Sequence, residues 1–384
     1  MTADRNRLLY SETLTRYDFG PLHPMAPGRV RNTISLARAL GVLDRLEVVT
    51  PCDVDDELIR TVHADDYIDA VQRAEVNPLF GLGTTDNPVF EKMHEISAEV
   101  VQATVCAAKS VWNGEVKRAC NISGGLHHAM PRFASGFCVY NDIAVAIQWL
   151  LEAGCERIAY VDVDVHHGDG VQTVFYDDPR VLTVSLHETP MTLFPGTGFA
   201  HETGGPGAVG SAVNVALPPG TDDRGWLRAF QAVVPEVLRE FQPTILVSQH
   251  GCDSHRVDPL AELNLSIDGQ RASYLAIEAL AEELCDGRWL STGGGGYALI
   301  DVVPRAWTHL LGIVSGTPVD PETVIPEAWR QALSEDAPLR MTDGAPIDFT
   351  SVERGYNPAD RLDQAIIATR KAVFPELGLD PDFY

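Results

Sequence analysis

The chain has 384 residues, 45% of them hydrophobic and 22% charged, which is enough apolar length for a large buried core. Its 54 acidic against 29 basic residues give a net charge of -25, which argues against a nucleic-acid surface or an anionic membrane surface as the main partner. No run of about 18 apolar residues occurs, and the odd set of seven cysteines (Cys52, Cys106, Cys120, Cys138, Cys155, Cys252 and Cys285) contains no Cys-x-x-Cys pair, so a zinc finger and a disulfide framework are excluded and a soluble cytoplasmic protein is expected.

Taken along the chain, helical and strand patterns alternate. Helical periodicity over 88–112 and 142–153 precedes a β-rich run at 157–165. Further strand runs at 181–186, 244–249 and 288–292 alternate with helical stretches at 222–241 and 268–285. This order predicts an α/β domain with a mainly parallel central sheet flanked by helices, with ligands beyond the carboxyl ends of the strands. The start, Met-Thr-Ala-Asp-Arg-Asn-Arg, has basic residues but no apolar run behind it, so no leader is expected. Beyond about residue 316 the texture turns Pro- and acid-rich, with one helical pattern near 361–373. Residues 1–315 are therefore expected to form the main domain and 316–384 an extension packed on it.

The most informative stretch is 160–170, Tyr-Val-Asp-Val-Asp-Val-His-His-Gly-Asp-Gly. Alternate residues of a strand face one side, so Asp162, Asp164 and His166 would project together while the valines pack the other way. Three other polar constellations stand beside it. Gly-Gly-Leu-His-His-Ala at 124–129 offers His127 and His128 from a glycine-led loop, and Gln-His-Gly-Cys-Asp-Ser-His at 249–255 puts Asp253 just after an apolar strand. Ser-Thr-Gly-Gly-Gly-Gly-Tyr at 291–297 ends on Tyr297; four glycines cost backbone entropy, so something must approach them closely. Asp164, His166 and Asp253 would give two carboxylates and one imidazole to a single ion, the open ligand set of a catalytic site. Such oxygen-rich ligation suits Zn(II), while leaving Fe(II), Mn(II) and Co(II) open. The Gly-x-Gly-x-x-Gly match at 205–210 lacks a leading strand and reads as a loop, and neither a serine-hydrolase elbow nor a phosphate-binding glycine loop is present.

These motifs, with Gly-Phe-Cys-Val-Tyr-Asn-Asp at 136–142 and Phe-Pro-Gly-Thr-Gly at 194–198, resemble in order those of the histone deacetylase superfamily. The early Tyr-Asp-Phe-Gly-Pro-Leu-His-Pro-Met-Ala-Pro-Gly-Arg at 17–29 is similar to its bacterial acetoin-utilisation branch. The resemblance implies the arginase/deacetylase fold for 1–315 and hydrolysis of acetyl-lysine. It implies metal ligation by Asp164, His166 and Asp253, a general base at His128, a proton donor to the leaving amine at His127, and orienting carboxylates at Asp162 and Asp169. Tyr297 would hydrogen-bond the acyl oxygen. Phe137 and Phe194 would wall an acyl-lysine tunnel, with Asp86 at its rim. A structural potassium would be bound through Asp162, Asp164, His166, Ser185 and Leu186. Leu260, after Asp258-Pro259, stands where polyamine-selective relatives carry a glutamate. Acetylated proteins, such as acyl-CoA synthetase-type metabolic enzymes, are thus expected as partners ahead of acetylpolyamines, and a non-catalytic acyl-lysine binder is a third alternative. The chain departs from the superfamily at His250-Gly-Cys before Asp253 and at Phe199, where an aspartate is usual.

Overall fold

In the computed structural model, which describes residues 5–51 and 56–382, eight strands form one sheet in which every pairing is parallel. They are β1 (Arg7–Leu9), β2 (Glu47–Val49), β3 (Arg118–Asn121), β4 (Ile158–Asp162), β5 (Val181–Glu188), β6 (Ala212–Leu217), β7 (Ile245–Gln249) and β8 (Trp289–Thr292). Their spatial order is β2-β1-β3-β8-β7-β4-β5-β6. Cys52 and residues 1–4 lie outside the described residues; the other six cysteines are free thiols.

Both faces of the sheet are buried except at the edge strand β2, where Glu47 and Val48 are exposed. Alternation along β4 shows how: Ile158 and Tyr160 pack with Val100, Ile143 and Val171, whereas Ala159 and Val161 pack with Val233, Ile277 and Trp307. The first layer is built on helices Met93–Trp112, Asp142–Glu152 and Asp169–Phe175. The second is built on Gly28–Ala39, Asp223–Phe241, Ile267–Cys285, Val303–Val314 and Arg361–Val373. Asn141, Asp222 and Ser266 cap three of these helices by accepting the backbone N–H of Ala144, Gly225 and Gly269, which satisfies donors otherwise orphaned in the first turn.

Three sequence expectations shift. The β4 strand stops at Asp162 rather than running to 165, because Asp162 Oδ1 accepts Asp164 N at 3.1 Å and Asp164 Oδ1 accepts His166 N at 3.0 Å, folding the chain into successive side-chain turns. The in–out alternation survives this, and Val163 and Val165 still pack with Val161. The helix expected from residue 88 starts at Met93, after Lys92 takes a left-handed φ of 58°. The tail carries a second helix, Glu327–Leu333. The Gly-x-Gly-x-x-Gly match at 205–210 is a loop.

The segment after 315 lies on the second layer. Thr369 Oγ1 donates to Asn214 O in β6 at 2.6 Å, and Arg370 Nη1 to Ala232 O at 2.7 Å. Asp343 accepts from Arg305 and His255 at 2.8 Å each. Burial alone would raise the Asp343 pKa, but the His255 hydrogen bond and the Arg305 charge hold it well below the ordinary carboxylate range. A depressed carboxylate stabilises the fold fully above its unfolded value of about 3.9 and loses that contribution as pH falls below it. Asp343→Asn is therefore expected to flatten the acid limb of a melting-temperature profile between about pH 4 and 2; an unchanged limb would show that the carboxylate carries none of it.

Candidate active site

Four neighbouring strands, β3, β8, β7 and β4, end on one row, which continues into the middle of β5. The register aligns Asn121 of β3 with Thr292 of β8, Thr292 with Gln249 of β7, Gln249 with Asp162 of β4, and Asp162 with Ser185 of β5. The loops leaving this row carry most of the residues singled out from the sequence. Asp164, His166 and Asp253 converge, each offering one ligand atom within 4.8 Å of the others. His166 Nδ1 lies 3.1 Å from a carboxylate oxygen of each aspartate. All three are buried, and burial together with the charge of Asp164 raises the Asp253 pKa. Two adjacent buried carboxylates facing one imidazole are costly to hold alone and suit a divalent cation.

The glycines next to these carboxylates now have a reason. A Cβ at Gly251 would collide with the Asp164 carboxylate, and one at Gly295 with those of Asp253 and Asp164. Gly295 N instead donates to Asp164 Oδ2 at 2.7 Å. Within the four-glycine run it is Gly295 where a side chain would displace a ligand; a Cβ at Gly293, Gly294 or Gly296 would instead meet Ile122, Gln249 or Cys252.

Beside the cluster, His127 and His128 bring their Nε2 atoms to 3.0 Å of each other. Their outer nitrogens are held by different carboxylates: His127 Nδ1 by Asp162 Oδ2 at 2.7 Å, and His128 Nδ1 by Asp169 Oδ1 at 2.6 Å. Burial depresses both rings, yet Asp162 and Asp164 bring His127 up to about 9, whereas the neighbouring His127 charge helps bring His128 down to about 4. Sequence positions 141 and 142 build the loop before them. Asp142 accepts the N–H groups of Gly125 and Leu126, and Asn141 Nδ2 donates to the carbonyls of His127 and Ala129. Hydrogen bonds to a buried charge of this kind contribute about 1.5–3 kcal/mol each.

A cavity of about 220 Å³ leads to these groups, lined by Asp86, His128, Phe137, His166, Phe194, Leu260 and Tyr297 among others. It is smaller than the roughly 300–1,000 Å³ of drug-sized sites. Asp86 is exposed at its edge, and Phe194 and Leu260 are partly exposed. Tyr297 meets the Phe137 ring edge-on at 5.8 Å. Phe137 holds a left-handed φ of 68°, a conformation costing roughly 1–3 kcal/mol for a bulky residue. Its carbonyl accepts Tyr17 Oη at 2.8 Å, and His23 packs on its ring at 4.5 Å. Ser185 and Leu186 are buried on β5, with Ser185 beside Asp162 and its Oγ 2.8 Å from His187 Nδ1. Phe199 lies stacked on His201.

Several residues around the site escaped the sequence reading. Gln249 donates to Asp164 Oδ2 at 2.7 Å, and Tyr160 to Asp162 Oδ2 at 2.6 Å. Arg29 Nε donates to Gly296 O at 2.8 Å and Arg29 Nη2 to Gly294 O, while its guanidinium lies over the Tyr297 ring at 5.5 Å. Asp258 accepts Tyr297 N at 2.8 Å and Leu260 N at 3.0 Å. Arg29 and Asp258 both stood inside quoted motifs, but a partner that is a backbone amide or carbonyl leaves no mark in a sequence.

The chain is similar to known proteins over most of its length. Residues 23–314 match the histone deacetylase domain family. The acetoin utilization protein AcuC of Bacillus subtilis is 40% identical over 340 residues, covering 87% of each chain. That of Staphylococcus xylosus is 35% identical, covering 84% of this chain and 85% of the relative. Among solved structures, one described as a histone deacetylase homolog complexed with SAHA superposes with a TM-score of 0.83 at 28% identity, covering 95% of this chain and 100% of that one.

Proposed function

The chain belongs to the histone deacetylase family and has its α/β fold, and from that premise we propose that it is a metal-dependent amidohydrolase that removes the acetyl group from lysine side chains of proteins. The observation that carries this reading is the meeting of the Asp164–His166–Asp253 cluster with two carboxylate-held histidines at the floor of a narrow, aromatic-walled cavity. Zn(II) or Fe(II) held by the cluster would supply a Lewis acid that acidifies water and polarises the acyl carbonyl.

The rest of the chemistry falls to side chains. Phe137 and Phe194 desolvate the methylenes of the lysine stem, with Asp86 at the rim to hydrogen-bond the substrate backbone. His128 lines the outer cavity, whereas His127 lies one layer deeper. Oriented by Asp169, His128 accepts the proton of the attacking water. His127, oriented by Asp162, delivers a proton to the departing amine. Tyr297 donates to the acyl oxygen as negative charge develops there. Buried Asp162 and neighbouring Ser185, with Asp164, His166 and Leu186, would hold the potassium ion. The acyl-lysine substrate is favoured over an acetylpolyamine because Leu260 stands where polyamine-selective relatives carry a glutamate, which leaves Asp86 as the one carboxylate of this cavity's lining. The charge of -25 fits work on proteins, such as acyl-CoA synthetase-type enzymes of the cytoplasm, away from nucleic acid and anionic membranes; none of the described helices is long and apolar enough to cross a membrane.

The test is acetate release from acetyl-lysine peptides and from N-acetylated polyamines in parallel, with protein reconstituted with Zn(II) or Fe(II) and then stripped by a chelator. Metal-dependent release from peptides is the expected result. Release from polyamines alone would transfer the reading to a polyamine amidohydrolase, and no release from either would leave an acyl-lysine binder.

A further inference from the structure

One buried carboxylate beyond the span matched by the family reaches back toward the site. Asp343 accepts from Arg305 Nη1 and His255 Nε2 at 2.8 Å each and from Ile267 N at 3.1 Å, and pairs with Arg256 Nη2 at 3.2 Å. Its own segment is fastened by Asp268, which accepts Thr342 Oγ1 at 2.5 Å and the N–H groups of Asp343 and Ala345 at 3.0 Å each. His255 and Arg256 follow Asp253 by two and three residues. His255 Nδ1 accepts Val257 N at 3.3 Å, so the ring proton is assigned to Nε2, where Asp343 takes it.

The turn that His255 anchors leads directly into the cavity wall. His255 N donates to Cys252 O at 3.3 Å and Asp258 N to His255 O at 2.9 Å. The Asp258 carboxylate then accepts both Tyr297 N and Leu260 N. Gly296, just before Tyr297, has a φ of 129° and belongs to a run with no side chains of its own to lock it. Tyr297 is thus placed from outside its own loop: through Asp258, through the 253–258 turn, and finally through Asp343.

We propose that Asp343 is a positioning residue of the active site, by which the C-terminal extension sets the 253–260 turn and, through it, Tyr297 and Leu260. This rests on the deacetylase reading for its consequence in turnover, but not for its structural claim. Replacing the carboxylate by an amide removes the charge and turns an N–H donor toward His255 Nε2 or Arg305 Nη1; Arg305 keeps the carbonyls of Asp301 and Thr342, so the mismatch falls on His255 and is relieved most cheaply by movement of the turn.

The experiment compares full-length Asp343→Asn with Thr369→Val, which cuts the extension's hydrogen bond to β6 far from the turn. Two quantities are read: kcat at saturating metal, and hydrogen exchange of individual amides. Asp343→Asn is expected to lower kcat at least 10-fold and to speed exchange at Leu260 and Tyr297 at least 10-fold more than at β4 and β7, where exchange rises only with the loss of global stability. Thr369→Val is expected to keep wild-type kcat and wild-type exchange at those two amides. Unchanged exchange at Leu260 and Tyr297 in Asp343→Asn overturns the proposal, as does a uniform rise across the whole domain. If Asp343→Asn does not fold, Asp343→Glu, which keeps the charge but displaces it, is read by the same two quantities and the same criteria. A wild-type protein without deacetylase activity would sink the functional reading and leave the exchange result to decide the positioning.

Discussion

Replacing Tyr297 by phenylalanine is expected to lower kcat by about 10²- to 10³-fold with little change in KM, because a single donor to a developing oxyanion contributes about 3 kcal/mol and acts mainly in the transition state. The fold should tolerate the change. The ring is held edge-on by Phe137 and beneath the Arg29 guanidinium, and the backbone N–H is bonded to Asp258, so none of these contacts uses the hydroxyl. Burial keeps the phenol well above its ordinary pKa, so it remains a donor throughout the working range. Metal content, melting temperature and steady-state kinetics of the Tyr297→Phe protein check this together. Retained metal with near-wild-type turnover would remove Tyr297 from the chemistry.

The second large effect belongs to His128. His128→Ala should lose about 10²- to 10⁴-fold in kcat, the usual contribution of a positioned acid–base group. Part of the loss is structural in origin, since Asp169 is only 6% exposed and would be left without its imidazole partner. The cleaner comparison is therefore a cycle. Asp169→Asn alone should cost at least about 10-fold, as orienting partners commonly do, while the double variant should be no slower than His128→Ala, because the aspartate acts only through the ring it holds. Additive losses in the double variant would show that Asp169 reaches the reaction by another route.

Much of this site was legible in the sequence because its chemistry sits on short local patterns. Asp162, Asp164 and His166 declare themselves by alternation, and the 293–296 glycines by their entropic cost, which at Gly295 the Asp164 and Asp253 carboxylates now explain and at its neighbours close packing on Ile122, Gln249 and Cys252. The layered α/β order was legible for the same reason: the central strands are five or so apolar residues long and separated by long amphipathic helices. What stayed hidden depends on distance in the chain or on the backbone. β1 and β2 are three residues each, too short for a period to register. Asp343 reads as one acid among many in a polar tail, and only folding brings it to His255, 88 residues away. Gln249, Arg29 and Asp258 act on carboxylates or main-chain atoms that any sequence offers everywhere.

The place of β8 in the sheet has a consequence for how the molecule is made. It pairs with β3 on one side and β7 on the other, so it is the strand that joins β2-β1-β3 to β7-β4-β5-β6. Until residue 292 has left the ribosome, the nascent chain carries two half-sheets with facing open edges, each a template for pairing with another chain. Asp164, His166 and Asp253 are already synthesised by then, on the larger half. The glycine run that packs on two of them arrives only with the closing strand, so assembly of the catalytic pocket and removal of the aggregation hazard are one event, completed late and over long sequence separations.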